Sequence, residues 1–414
     1  MGSHHASRHA APESSRMRRL SVAVVVPLAL LTLAALVWMW PEPLSKDRSS
    51  EALPTVAAVV TSVESRPCPA PEGEEPATGE PGGEAPSGEA PSGEPDPSAP
   101  TDCGTVQVRI TEGAGEGEVV QAPVPGGPGA PEVEEGDEVS VAPSQGADGT
   151  EYAIVDHQRA SGLWVLAAAF ALAVVAFGRL RGVTALLGLA VTFALLLVFV
   201  VPAILGGASP VVVSLVASSA IILVVLYLTH GFSLSTTVAV VSTLASLALT
   251  GLLSWLSVEG LHLTGITDDI STYLGTQHRV DMQGLLLAGI VIGSLGVLDD
   301  VTVSQAATVG EISRANPGYG FAPLYRAGIR VGRAHIASVI NTIVLAYAGS
   351  SLPLLVLIVA DNSGIGDVVT DQVIAQEIVR SAVATIGLIA AVPITTLLAV
   401  LAAHEAVPRE TPRV

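Results

Sequence analysis

The second half of the chain is a succession of apolar runs separated by short polar links. The runs cover residues 163–177, 183–201, 211–228, 237–256, 284–298, 336–360 and 378–402. An eighth, residues 20–40, lies near the N-terminus and carries no charge. A run of about 20 apolar residues matches the hydrocarbon thickness of a bilayer. Half of the residues are hydrophobic and only 14% are charged, with a mean hydropathy of +0.57. That balance marks a membrane protein rather than one large soluble core. The expected fold is an α-helical polytopic membrane bundle of about eight transmembrane helices. A small extracytoplasmic β domain is expected between helices 1 and 2.

The run at 284–298 differs from the others because it is short and continues into polar helix. Its uncharged part, Leu285 to Leu298, spans roughly 21 Å at about 1.5 Å per residue. A bilayer core is ~30 Å thick. Asp299 and Asp300 are therefore expected in the membrane's inner third. On a helix, Asp300, Ser304 and Glu311 fall within about 40° of one another, and Asp299 points elsewhere. Such a stripe is costly against lipid and must face a bundle interior, a water cavity or cytosol.

The rest of the chain divides by composition. Residues 1–19 are polar and basic and are expected to be a disordered cytosolic tail. Residues 20–40 read as an uncleaved anchor, with Trp38 and Trp40 at the interface and no small-residue cleavage site. Residues 41–161 hold 24 of the 38 acidic residues. Four strands are expected there, at 55–65, 104–111, 117–121 and 137–141, in a small barrel or sandwich. Residues 69–100 are acidic, rich in Gly and Pro and too poor in apolar residues to fold. Cys68 and Cys103, the two cysteines, flank this insertion. A disulfide at its base or two unpaired thiols both fit, and a metal site does not. Residues 162–404 form the seven remaining spans, and 405–414 a cytosolic tail.

Charge placement orients the chain. With the N-terminus inside, inner segments hold 12 basic residues and outer segments 7, spread over a far longer sequence. Both termini are then cytosolic. The acidic balance, a net charge of −19, leaves no footprint for nucleic acid. No phosphate-binding loop, dinucleotide fingerprint or His-Glu-x-x-His motif occurs. No cofactor and no enzymatic activity are expected, since no nucleophile–base pair is visible.

The stretch from Ser294 to Ile312 is similar to a Gly-x-x-x-Asp-x-x-x-Ser-x-x-x-x-x-x-Glu block, matched here by Gly296, Asp300, Ser304 and Glu311. Arg326-Ala-Gly-Ile-Arg-Val-Gly-Arg333 is followed by Asn341-Thr-Ile-Val-Leu-Ala. Gln376-Glu-Ile-Val-Arg, Gly387-Leu and Pro393-Ile-Thr lie in the last span. Together these resemble the YibE/F family of multi-pass bacterial membrane proteins. The resemblance implies a bacterial cell membrane and, as the usual reading of the family, a transporter or permease. One departure is Ala334, where the family carries an acid after Gly-Arg. The acidic insertion and Asp299 are also unlike the family's pattern.

Two functions from different classes fit these residues. The first is a secondary carrier for a small solute or ion, with Asp300, Ser304, Glu311, Asn341 and Arg333 as its binding residues. Asn341 can equally bond a neighbouring helix, and Arg333 can equally serve as a topology signal. The second is a non-transporting module whose β domain binds an envelope protein or senses the envelope.

Overall fold

The computed structural model describes residues 15–42, 55–67, 102–113, 115–127, 129–146, 149–360 and 365–406. The insertion at 69–100 and the end of the C-terminal tail lie outside the described residues. The chain divides into two compact units, one of Met1–Leu44 with Val174–Val414 and one of Ser45–Ala173.

The smaller unit holds a sheet of five strands: β1 (Val56–Pro67), β2 (Asp102–Glu112), β3 (Val119–Pro123), β4 (Glu138–Gly146) and β5 (Gly149–His157). Their order is β3-β2-β1-β4-β5, and every neighbouring pair is antiparallel. Alternate residues point inward, as a half-buried strand requires. Ala58 and Val60 meet Val106, Val108, Val139 and Val141 in one apolar cluster. The two edge strands β3 and β5 touch, so the sheet curls toward a barrel.

Strand β5 was not among the four expected strands. Its inward set is short, with Ile154 buried and Tyr152 half-buried, and charged Glu151 and Asp156 mask the alternation. Strands β1 and β2 pair as far as Pro67 and Asp102, at the two edges of the insertion. Cys103 in β2 is disulfide-bonded, and Cys68 lies outside the described residues.

The helices are α1 (Ser15–Trp38), α2 (Ala160–Gly178), α3 (Leu180–Leu195), α4 (Val201–Leu205), α5 (Pro210–His230), α6 (Leu234–Gly260), α7 (Asp269–Gln277), α8 (Met282–Ala315), α9 (Phe321–Ser350), α10 (Leu352–Ala360), α11 (Ile365–Thr370) and α12 (Gln372–Ala406). A π-helical turn, Leu196–Val200, joins α3 to α4. It lies just before Pro202, which has no N–H to continue the ladder. Eight helical stretches among the described residues are long and apolar enough to cross a membrane, with α3 and α4 counted as one. Helix α1 begins inside the stretch expected to be a disordered tail. Its first turn is rich in arginine, a good helix former.

Local chemistry sets the helix ends. The Ser233 side chain accepts the Thr236 N–H at 3.1 Å and caps α6. Asp281 accepts the Gly284 N–H at 3.0 Å and caps α8. Asp268 and Ser271 form a reciprocal capping box on α7. Helix α5 starts with Pro210 at its first position and stops at Gly231, whose φ of 73° suits a residue without a side chain.

Helix α8 lies among α5, α6 and α12. Leu226, Leu247, Leu298 and Leu388, one from each of these four helices, share the core. Lipid tails are as apolar as leucine, so within a bilayer close packing and hydrogen bonds hold helices together. Glycines permit the closest approach. A Cβ on Gly328 of α9 would lie 2.9 Å from side-chain carbons of Thr396 and Val309. One on Gly332 would lie 2.9 Å from Gln305 Oε1. That is the physical reason for glycine at both places in the Arg326–Arg333 block.

Candidate functional site

Helix α8 runs unbroken through Asp299 and Asp300 to Ala315. Its apolar half and its polar half are therefore one rigid element. The side of α8 toward α3 and α5 opens into a cleft of about 500 Å³. Asp299 and Asp300 line it together with Arg181 of α3 and Thr229 and His230 of α5. A volume of this order suits a small solute. Asp299 is half-buried and Asp300 exposed. Neither carboxylate has an ion-pair partner within 4.0 Å among the described residues.

One turn beyond Asp299, the polar groups go inward. Thr302 is fully buried, and its hydroxyl lies 3.0 Å from the Asp299 carbonyl and 2.6 Å from Thr243 Oγ1 of α6. The Gln305 amide, also buried, donates to the Gly328 carbonyl at 3.0 Å and to Thr396 Oγ1 at 2.8 Å. A single polar layer thereby ties α6, α8, α9 and α12 together. Buried polar groups inside a membrane bundle are costly unless partnered, so such a layer fixes the packing of its helices.

The remaining expected site residues fall elsewhere. Ser304 is half-buried, and its hydroxyl donates to the Val301 carbonyl at 3.1 Å. Glu311 is exposed and pairs with Arg314 on its own helix. The stripe of Asp300, Ser304 and Glu311 is thus a shared face of α8, with both acids at the surface rather than in the core. Asn341 is exposed on α9. Arg333 lines a separate groove of about 300 Å³ with Tyr325, Ile389 and Pro393, and is not at the carboxylate cleft. Asp299, expected to point away from the site, lines the same cleft as Asp300.

Sequence reasoning missed Arg181, His230 and the partners of Thr302 and Gln305. A signal was present for the first two. Each lies at the end of an apolar run that the alternating topology brings to the same side as Asp299.

A family model described as YibE/F-like protein matches residues 166–405. The chain belongs to the YibE/F-like family. The match starts within α2 and ends within α12, so it includes both the cleft and the buried layer. The sheet and α1 lie outside it. No curated protein and no solved structure matches the chain. The family and the eight apolar helices make this a multi-pass membrane protein.

Proposed function

We propose that this YibE/F-like protein is a secondary carrier for a small solute or ion, with the α3–α5–α8 cleft as one mouth of its pathway. The carrying observation is the pair of carboxylates without ion-pair partners, Asp299 and Asp300, in a cleft of about 500 Å³ on a membrane helix. Ionisable residues inside membrane spans mark ion and substrate pathways, because nothing else repays their desolvation. The arginine distribution supports an orientation with both termini in the cytosol and the sheet outside, and the reading of a bacterial cell membrane rests on the family. In that orientation the cleft opens toward the cytosol.

The test is flux in proteoliposomes across a panel of ions and small solutes. Asp299→Asn and Asp300→Asn keep size and hydrogen-bonding capacity while removing charge. Each variant is expected to retain fold and to lose at least 10-fold in flux. A wild type that moves nothing in the panel, with variants that are merely less stable, overturns the proposal.

A further inference from the structure

Helices α9 and α12 touch closely at one point and part beside it. A Cβ on Gly332 would lie 2.5 Å from Val392 Cγ1, so the helices meet there with no room for a methyl group. Next to that contact a groove of about 300 Å³ opens between them. Tyr325, Ile329 and Ile336 of α9 wall it on one side, and Ile389 and Pro393 of α12 on the other. Pro393 has no N–H to offer the Ile389 carbonyl, so the α12 ladder is interrupted at the groove wall. The walls are apolar except for the Tyr325 hydroxyl and the Arg333 guanidinium.

The depth of the groove follows from α8. The apolar run of α8 starts at Leu285, and a bilayer core of ~30 Å takes about 20 helical residues. The core therefore ends near Gln305. Gln305 donates to the Gly328 carbonyl at 3.0 Å, and a Cβ on Gly332 would lie 2.9 Å from its Oε1. Arg333, next to Gly332, thus stands at the edge of the bilayer core. Further along α9, Tyr347 reaches Gly293, so α9 runs inward from Arg333 and Ile336 lies about one turn deeper. Ile389 lies about one turn deeper than Pro393 on α12. Tyr325 lies about two turns the other way, toward water. Arg326 and Arg330 fall within about 60° of Arg333 on the same face of α9. All three arginines are exposed, and none has an ion-pair partner within 4.0 Å among the described residues.

We propose that this groove seats one anionic phospholipid, with its phosphate on Arg333 and an acyl chain along Ile336 and Ile389. Depth and charge complementarity select that occupant. A guanidinium presents its donors in a fork that matches phosphate oxygens. A basic site between membrane helices at this depth recruits anionic head groups. The apolar wall begins about one turn deeper, where an acyl chain runs. Arg326 and Arg330 add positive charge on the head-group side, which favours a lipid of net negative charge over a zwitterionic one. A second copy of the chain does not fit, because a two-fold pair would bring two arginine rows together. A free phosphate ion would use the arginines and leave the apolar wall without a partner. The inference stands independently of the carrier reading.

The experiment is native mass spectrometry of the purified full chain in detergent, titrated with phosphatidylglycerol or phosphatidylcholine. Wild type is expected to hold one phosphatidylglycerol at concentrations where phosphatidylcholine does not bind. Arg333→Gln is expected to weaken that binding roughly 5-fold, the effect of one basic group at an anionic surface. Ile389→Trp fills the groove without touching a charge and is expected to weaken it at least as much. Arg314→Gln, outside the groove lining, is the control and should change nothing. Equal binding of both lipids by wild type overturns the proposal. Unchanged binding in either folded variant does so too, and leaves Arg333 as a topology signal. Equal weakening by Arg314→Gln would reduce the effect to general surface charge and also overturn it. Displacement of the lipid by inorganic phosphate would replace the lipid seat with a free-anion site. Should Arg333→Gln fail to fold, Ile389→Trp carries the test alone.

Discussion

Single residues decide how closely the helices of the bundle approach. Gly387 faces Thr250 across the α6–α12 contact with no space for a methyl group. Gly387→Ala is expected to destabilise the protein by about 1–3 kcal/mol, the usual cost of overpacking. Adding Thr250→Ala relieves the collision and should recover part of that loss. Thermal unfolding of the single and double variants measures this; additive losses would show that the two residues do not meet. The glycine was visible in the sequence as part of the Gly387-Leu pair, but its partner was not. Helix α5 illustrates why. It is apolar all round, so its sequence does not say which side a neighbour covers. The same ambiguity hid the inward direction of Thr302 and Gln305 and the outward direction of Glu311.

At the scale of elements, the sequence was most legible where local chemistry is strong. Asp281 before α8 and Asp268 before α7 are caps that the residues announce. The eight apolar stretches were legible because lipid demands length and lack of charge, whatever the tertiary partners. Strand β5 was not legible, because five residues of useful alternation are easily masked by two acids. The α7 cap makes a pH prediction. Accepting the Ser271 backbone N–H, and then its side-chain bond, holds the Asp268 carboxyl below its ordinary pKa. Its folded pKa is thus lower than its unfolded one. The cap's contribution is present above the unfolded pKa and is lost as pH falls through the folded value. Asp268→Ala should therefore speed hydrogen exchange of the α7 amides at neutral pH, with a difference from wild type that fades in acid. A difference independent of pH would mean the carboxylate's charge does not stabilise α7. In the sheet, the bonded Cys103 predicts no free thiol on the unfolded, unreduced chain. A thiol titre above zero would remove the bridge.

For the whole molecule, the central claim is that α8 carries Asp299 and Asp300 in a water-filled cleft within a multi-pass bundle. Val303 lines that cleft, and Leu298, five residues earlier on α8, is buried in the core. The decisive measurement is labelling of Val303→Cys and Leu298→Cys by an impermeant thiol reagent, with the native cysteines replaced. Right-side-out and inside-out membrane vesicles expose opposite faces. The account predicts that Val303→Cys reacts only in inside-out vesicles, where the cytosolic face is presented, and that Leu298→Cys reacts in neither. Labelling of Val303→Cys from the outer face would contradict the topology, and labelling from neither face would contradict the water-filled cleft.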